Sequence, residues 1–250
     1  MSGAERDVAP LRGALRVPLA PLAPGVRDLP ESAASYVARV HRLVAGDRFV
    51  AFDPEGAVEA DAEIVDVGRR AVTARLGEVR PAATTAPRAL TLIQGACKGD
   101  KMDAIIRDAT ELGATRIVPA IAERSVARPE PARAARWRRI AVEAARQCGR
   151  GDAPAIASPI RMLDALEARG DAVGLCLDPR AALRLGPSLG ALRDDAALVV
   201  VIGPEGGLSD GELIAAERCG FARVTMGPLV LRTETVCAAV LGALLIAACR

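Results

Sequence analysis

The eleven residues Ala197–Gly207, ALVVVIGPEGG, constrain the fold more than any other stretch of the chain. An apolar run rich in valine reads as a buried strand, and it ends abruptly in Gly203-Pro204-Glu205-Gly206-Gly207. The glycines clear side chains from that loop, Pro204 stiffens it, and Glu205 is its only charge. Its peptide groups can therefore approach a ligand directly. A second Gly-Pro-containing segment, Met226-Gly227-Pro228-Leu229-Val230-Leu231, leads through Arg232-Thr233-Glu234-Thr235 into a final apolar run. Loops at the carboxyl ends of strands are where open α/β sheets bind ligands.

Around these loops the pattern alternates from Arg88 onward. Strands are expected at Leu90–Gln94, Arg116–Ile121, Ala155–Ser158, Val173–Asp178, Ala197–Ile202 and Ala222–Met226. Between them run helices, among them Asp100–Leu112, closed by Gly113, and a long one starting at Pro131. Ser209-x-x-Glu212 spells a capping box for the helix after the Gly-rich loop, with Gly220 closing it. Such alternation implies a mainly parallel sheet covered by helices on both faces. Upstream the period changes to two. Val58, Ala60, Ala62 and Ile64 alternate with Glu59, Asp61 and Glu63, so the carboxylates are expected on a solvated face. Further strands at Asp47–Asp53 and Val72–Leu76 and a short helix near Glu31–Val40 suggest a small β-barrel. The expected organisation is a barrel domain at 1–80, a Pro/Ala/Thr-rich linker at 81–87, and an α/β domain at 88–250.

Composition then removes function classes. With 250 residues there is core enough for one large domain or two modest ones. Aromatics at 2% leave little for stacking on single-stranded nucleic acid. His41 is the only histidine and the six cysteines are scattered singly, which argues against a metal site and against His-based nucleophilic catalysis. Arg12, Arg16 and five prolines interrupt the first thirty residues, so no signal peptide is read, and the longest apolar run, Val236–Cys249, is too short to span a bilayer. A reduced, cytoplasmic protein is expected. From 124 to 150 eight arginines face two glutamates, a block suited to a polyanion or to a solvated helix face. The dinucleotide fingerprint G-x-G-x-x-G and the Walker loop are both absent. That argues against a nicotinamide oxidoreductase and favours a nucleoside-like ligand held by backbone groups. Thr233 reads as an N-cap and Glu234 as a first-turn carboxylate, which leaves Arg232 without a structural task.

Six segments carry a more specific signal. They are Gln94-Gly95-x-x-Lys98-Gly99-Asp100-Lys101-Met102-Asp103, Ala109–Gly113, Glu123-Arg124-Ser125, Glu143-Ala144-Ala145-x-Gln147-x-Gly149-Arg150, Ile202–Gly207 and Leu231–Thr235. In this order they resemble the bacterial 16S ribosomal RNA uridine-N3 methyltransferases, in the knotted (SPOUT) class of S-adenosylmethionine-dependent RNA methyltransferases. The resemblance implies a trefoil-knotted α/β domain and a PUA-like N-terminal barrel that binds RNA. It also implies a homodimer with sites completed across the interface, and 16S ribosomal RNA or the small subunit as partner. The cofactor, S-adenosylmethionine, is expected on Leu177, Asp178, Pro179, Gly203, Pro204, Glu205, Gly206, Gly207, Met226, Gly227, Pro228, Leu229, Leu231 and Thr233. Arg232 is expected to stabilise the uracil anion, Glu234 or Glu205 to take its proton, and Lys98, Lys101, Arg124, Arg146 and Arg150 to contact phosphates. Methylation of another base or of a ribose hydroxyl, or a non-catalytic assembly factor, are the alternatives.

Overall fold

The computed structural model describes residues 15–248 except 131, 191 and 194; Arg12, Pro131 and Cys249 lie outside the described residues. Contacts divide the chain into two units, Met1–Thr85 with Gly149–Asp152, and Ala86–Cys148 with Ala153–Arg250.

The first unit holds β1 (Arg16–Pro18), β2 (Gly25–Asp28), α1 (Glu31–Ser35) running into a π-helical turn at Tyr36–Val40, β3 (Arg48–Asp53), β4 (Val58–Val67), β5 (Val72–Leu76) and β6 (Arg80–Pro81). They form one six-stranded sheet in the order β1-β3-β4-β5-β2, with β6 also on β4, antiparallel except for β1 on β3. Phe49, Ala51, Ala62, Ile64, Ala74 and Leu76 project to one core, as the period of two requires. Glu59 departs from the expected alternation: it is 1% exposed. Arg16 and Arg80 reach it at 3.0 and 3.2 Å, and a carboxylate is tolerated there because two guanidiniums replace its water. The expected linker is likewise integrated. Pro81 pairs with Val58, Ala82 donates to the Ala57 carbonyl (3.0 Å), and Thr84 accepts from Gly151 (2.8 Å).

The second unit runs β7 (Leu90–Gly95), α2 (Lys101–Glu111), β8 (Arg116–Ile121), α3 (Arg133–Cys148), β9 (Ala155–Ile156), β10 (Ile160–Arg161), α4 (Met162–Glu167), β11 (Val173–Leu177), β12 (Leu183–Arg184), α5 (Leu185–Gly190), β13 (Leu198–Ile202), α6 (Asp210–Arg218), β14 (Phe221–Thr225) and α7 (Thr233–Ala248). Every pairing in its eight-stranded sheet is parallel, in the order β10-β8-β7-β13-β11-β14-β12, with β9 also on β8. Successive residues of β13 serve opposite faces. Leu198, Val200 and Ile202 pack with Met102, Ile105, Trp137, Val240 and Leu244 from α2, α3 and α7. Val199 and Val201 pack with Met162, Leu166, Leu213 and Ala216 from α4 and α6. A strand covered on both sides has to be apolar throughout, which is why Leu198–Ile202 carries no polar residue. The capping box forms as written, Ser209 Oγ accepting from the Glu212 amide and Glu212 accepting from the Ser209 amide. Cys97, Cys176 and Cys237 are buried and all described cysteines are free. Among the described residues no helix is long and apolar enough to cross a membrane.

Candidate functional site

In a parallel sheet all strands end on the same side, so the loops after β11, β13 and β14 converge. They enclose a cavity of about 830 Å³, within the roughly 300–1,000 Å³ common for small-molecule sites. Its lining takes in Leu177, Asp178 and Pro179; Gly203, Pro204, Glu205, Gly206 and Gly207; and Met226, Leu229, Leu231, Arg232 and Thr233. Of the expected ligand-loop residues, Gly227 and Pro228 are not in the lining. Arg180, Leu208 and Thr225 are, each adjoining a segment the sequence marked, and so is Val230 from within the Met226–Leu231 segment.

The Gly-rich loop is held from several directions. At Gly95 a Cβ would lie 2.4 Å from the Pro204 nitrogen, so this glycine is needed for the end of β7 to meet the loop. Lys101 Nζ binds Glu205 Oε1 at 2.9 Å and the Lys98 amide approaches it at 3.3 Å. Arg124 donates to the Gly206 and Leu208 carbonyls at 3.4 and 3.3 Å, and its own loop is anchored where the Glu123 amide donates to Glu212 (2.8 Å). Burial pushes the Glu205 carboxyl upward, but the Lys101 hydrogen bond and nearby amides outweigh it and leave it below the usual carboxylate value. The neighbouring Cys97 thiol is pushed up to about 12, chiefly by burial and then by Glu205, and stays protonated.

Asp178, 4% exposed, accepts from the Arg180 amide (3.1 Å) and side chain (3.4 Å) and from Arg223 (2.5 Å). Arg180 continues to Asp210 and Arg223 to Glu217, both at 3.0 Å. Burial opposes ionisation of Asp178, and the arginine contacts prevail, holding its carboxyl below the ordinary value. Its role here is to fix the loop after β11.

Arg232 is exposed on the cavity wall and has no ion-pair partner among the described residues. Thr233 differs from the expected N-cap: the Val236 amide donates to the Arg232 carbonyl, so Arg232 precedes the first turn. The Thr233 hydroxyl instead donates to the Gly203 carbonyl at 2.8 Å and accepts from Gln94 Nε2 at 3.0 Å. Glu234 is outside the cavity lining, half-buried, with Oε2 unpartnered among the described residues. Of the expected phosphate contacts, Lys101 and Arg124 line the cavity and Lys98 is exposed beside it. Arg146 instead pairs with Glu143 in a groove between α2 and α3 that also holds Arg107, Arg136 and Arg139. Arg150 is 4% exposed, grips Asp152 through Nε and a terminal nitrogen, and belongs to the first unit. That burial takes it out of reach of a phosphate backbone. No group of three or more metal-ligating side chains occurs among the described residues.

The RNA methyltransferase domain model matches residues 84–245. Ribosomal RNA small subunit methyltransferase E of Synechocystis is 34% identical over 203 residues, 80% of this chain and 66% of that protein. The protein of the same name from Mycobacterium bovis is 33% identical, over 83% of this chain and 81% of its own. A crystal structure of ribosomal RNA small subunit methyltransferase E from Neisseria gonorrhoeae, bound to S-adenosyl methionine, superposes with a TM-score of 0.83. It is 30% identical, over 92% of this chain and 96% of that one.

Proposed function

Because the chain belongs to the RNA methyltransferase domain family, we propose that it transfers a methyl group from S-adenosylmethionine to N3 of a uridine in small-subunit ribosomal RNA. The observation that carries this reading is the cavity at the carboxyl ends of β11, β13 and β14, with Arg232 on its wall. The residues fit the cofactor. Leu177, Ile202, Leu208 and Leu231 would give apolar contact for its purine, and the loops would offer backbone groups for hydrogen bonds. At Gly203 a Cβ would stand 3.0 Å from the Leu208 amide, so the main chain itself lines the cradle.

When bound, S-adenosylmethionine supplies an electrophilic methyl on a sulfonium. The protein's share is to orient and to stabilise charge. Uracil N3 must shed a proton before it attacks, and the Arg232 guanidinium stabilises the anion through its carbonyl oxygens. Of the two candidate proton acceptors, only Glu205 faces the cavity, and its pairing with Lys101 makes it a weak base. Its role in this reading is to hold the loop, and the acceptor role falls to Glu234, whose Oε2 has no partner among the described residues. Lys98, Lys101, Arg124 and Arg146 are assigned to RNA phosphates. The family resemblance extends the reading to a trefoil knot in the second unit, a closed RNA-binding barrel in the first, and a homodimer. Insertion of β13 between β7 and β11 supports the knot, and the 72% exposed Ile246 on the apolar α7 supports the dimer.

The test is methylation of small-subunit RNA from cells lacking this protein, read by nucleoside mass spectrometry. 3-Methyluridine is expected, with loss of signal at raised salt. A ribose-methylated nucleoside, another methylated base, or no product overturns the assignment. Arg232→Ala is expected to lower kcat roughly 100-fold while cofactor affinity holds.

A further inference from the structure

Of the loops that face the cavity, one leaves β13 and another leaves β14 and runs into α7; one buried side chain from a further strand, β7, touches Gly203 of the first and Thr233, the residue that opens α7. Gln94 sits near the end of β7, opposite Ile202 in the parallel register, and is wholly buried. Its Nε2 donates to Thr233 Oγ1 and to the Gly95 carbonyl, each at 3.0 Å, and lies 3.4 Å from the Gly203 carbonyl. Thr233 Oγ1 closes the triangle, donating to the same Gly203 carbonyl at 2.8 Å.

Resting on the cofactor site proposed above, we infer that Gln94 is a positioning residue. Through the Thr233 hydroxyl it sets the spacing between the Gly203 end of the Gly-rich loop and the first turn of α7, and so places Arg232. Three features carry this. The Thr233 hydroxyl proton is used within the protein, so its task is to join the walls rather than to donate to a ligand. Gln94 leaves Oε1 buried without a partner among the described residues, a cost that an apolar side chain of the same size avoids. The amide is therefore at this position for its donor. Finally, Gly95 beside it lets Pro204 approach, so the joint lies where β7 and the loop are in direct contact.

The experiment compares Gln94→Met, Thr233→Val, Thr233→Ser and the Gln94→Met/Thr233→Val double variant. S-adenosylmethionine affinity is measured by calorimetry, melting temperature by thermal unfolding, and amide hydrogen exchange at 203–207 and 229–233 by mass spectrometry. Gln94→Met and Thr233→Val are each expected to weaken affinity about tenfold, with near-unchanged melting temperature and faster exchange in both segments. The double variant should be no worse than either single one, and Thr233→Ser should behave as wild type. Unchanged affinity and exchange in the single variants, additive losses in the double, or no rescue by serine overturns the inference. If Gln94→Met fails to fold, the Thr233→Val and Thr233→Ser pair decides it alone. If the wild type binds no S-adenosylmethionine, the proposed function fails, and the exchange data still decide whether the joint couples the two loops.

Discussion

Residues 203–207 and 226–231 face one cavity but are held very differently. The first loop meets Gln94, Gly95, Lys101, Arg124 and Thr233, partners from four other segments of the second unit. The second is tied locally, through the Thr225 hydroxyl and the backbone of Gly227, and leaves Leu229 and Val230 73% and 83% exposed. Few buried contacts and exposed apolar tips place the second loop at the low-stability end of the structure. In the proposed function, a braced wall would hold the cofactor in one orientation, and a loosely tied one would yield as RNA enters. The apolar side chains on the loose wall become useful only when something covers them.

The strongest way to break this contrast is at Gly95. In Gly95→Ala the new methyl meets the Pro204 backbone, which cannot rotate away, so a loss of about 3 kcal/mol or more in urea unfolding is expected, together with loss of cofactor binding by calorimetry. Asp178→Asn should come next. It removes the charge that Arg180 and Arg223 share, and because both arginines keep partial access to solvent the expected cost is about 2 kcal/mol rather than that of a fully buried pair.

A third expectation concerns pH. The carboxyls of Asp178 and Glu205 both lie below their ordinary values in the folded protein, so their stabilising contribution is complete above about pH 4–5 and is lost as pH falls through the depressed values. Cofactor affinity should therefore be flat from neutral pH down to about 4, because both carboxyls stay ionised in the folded protein, and fall below it. Asp178→Asn should shrink the stability part of that acid limb. The smallest effect on folding is expected on the loose wall. Leu229→Ser and Val230→Ser should change unfolding free energy by no more than about 0.5 kcal/mol while raising the KM for RNA several-fold. A large stability loss in either would show that this loop is as firmly held as the other.

Much of the second unit was legible before its structure, and for local reasons. The Ser209–Glu212 capping box, the Gly113 and Gly220 helix ends and the apolar run of β13 involve residues within a few positions of one another. The segments that border the cavity were legible too, as glycine- and proline-containing loops that follow strands. Glu59 was misread because alternation describes a sheet with one wet face, whereas Arg16 and Arg80 arrive from elsewhere to cover it. Arg150 was misread for the same reason: the pattern shows its charge but not its burial beside Asp152.

The order of elements, the parallel sheet and the loops that border the cavity were thus determined by the sequence alone, since periodicity, caps and turns act over short distances. Which polar groups remain available there was decided only in three dimensions. Thr233 and Glu205 look like ligand contacts in the sequence, yet the first is hydrogen-bonded to Gln94 across 139 positions and the second to Lys101 across 104. A polar side chain in a crowded site takes the nearest partner in space, and no local pattern records where the chain will bring that partner.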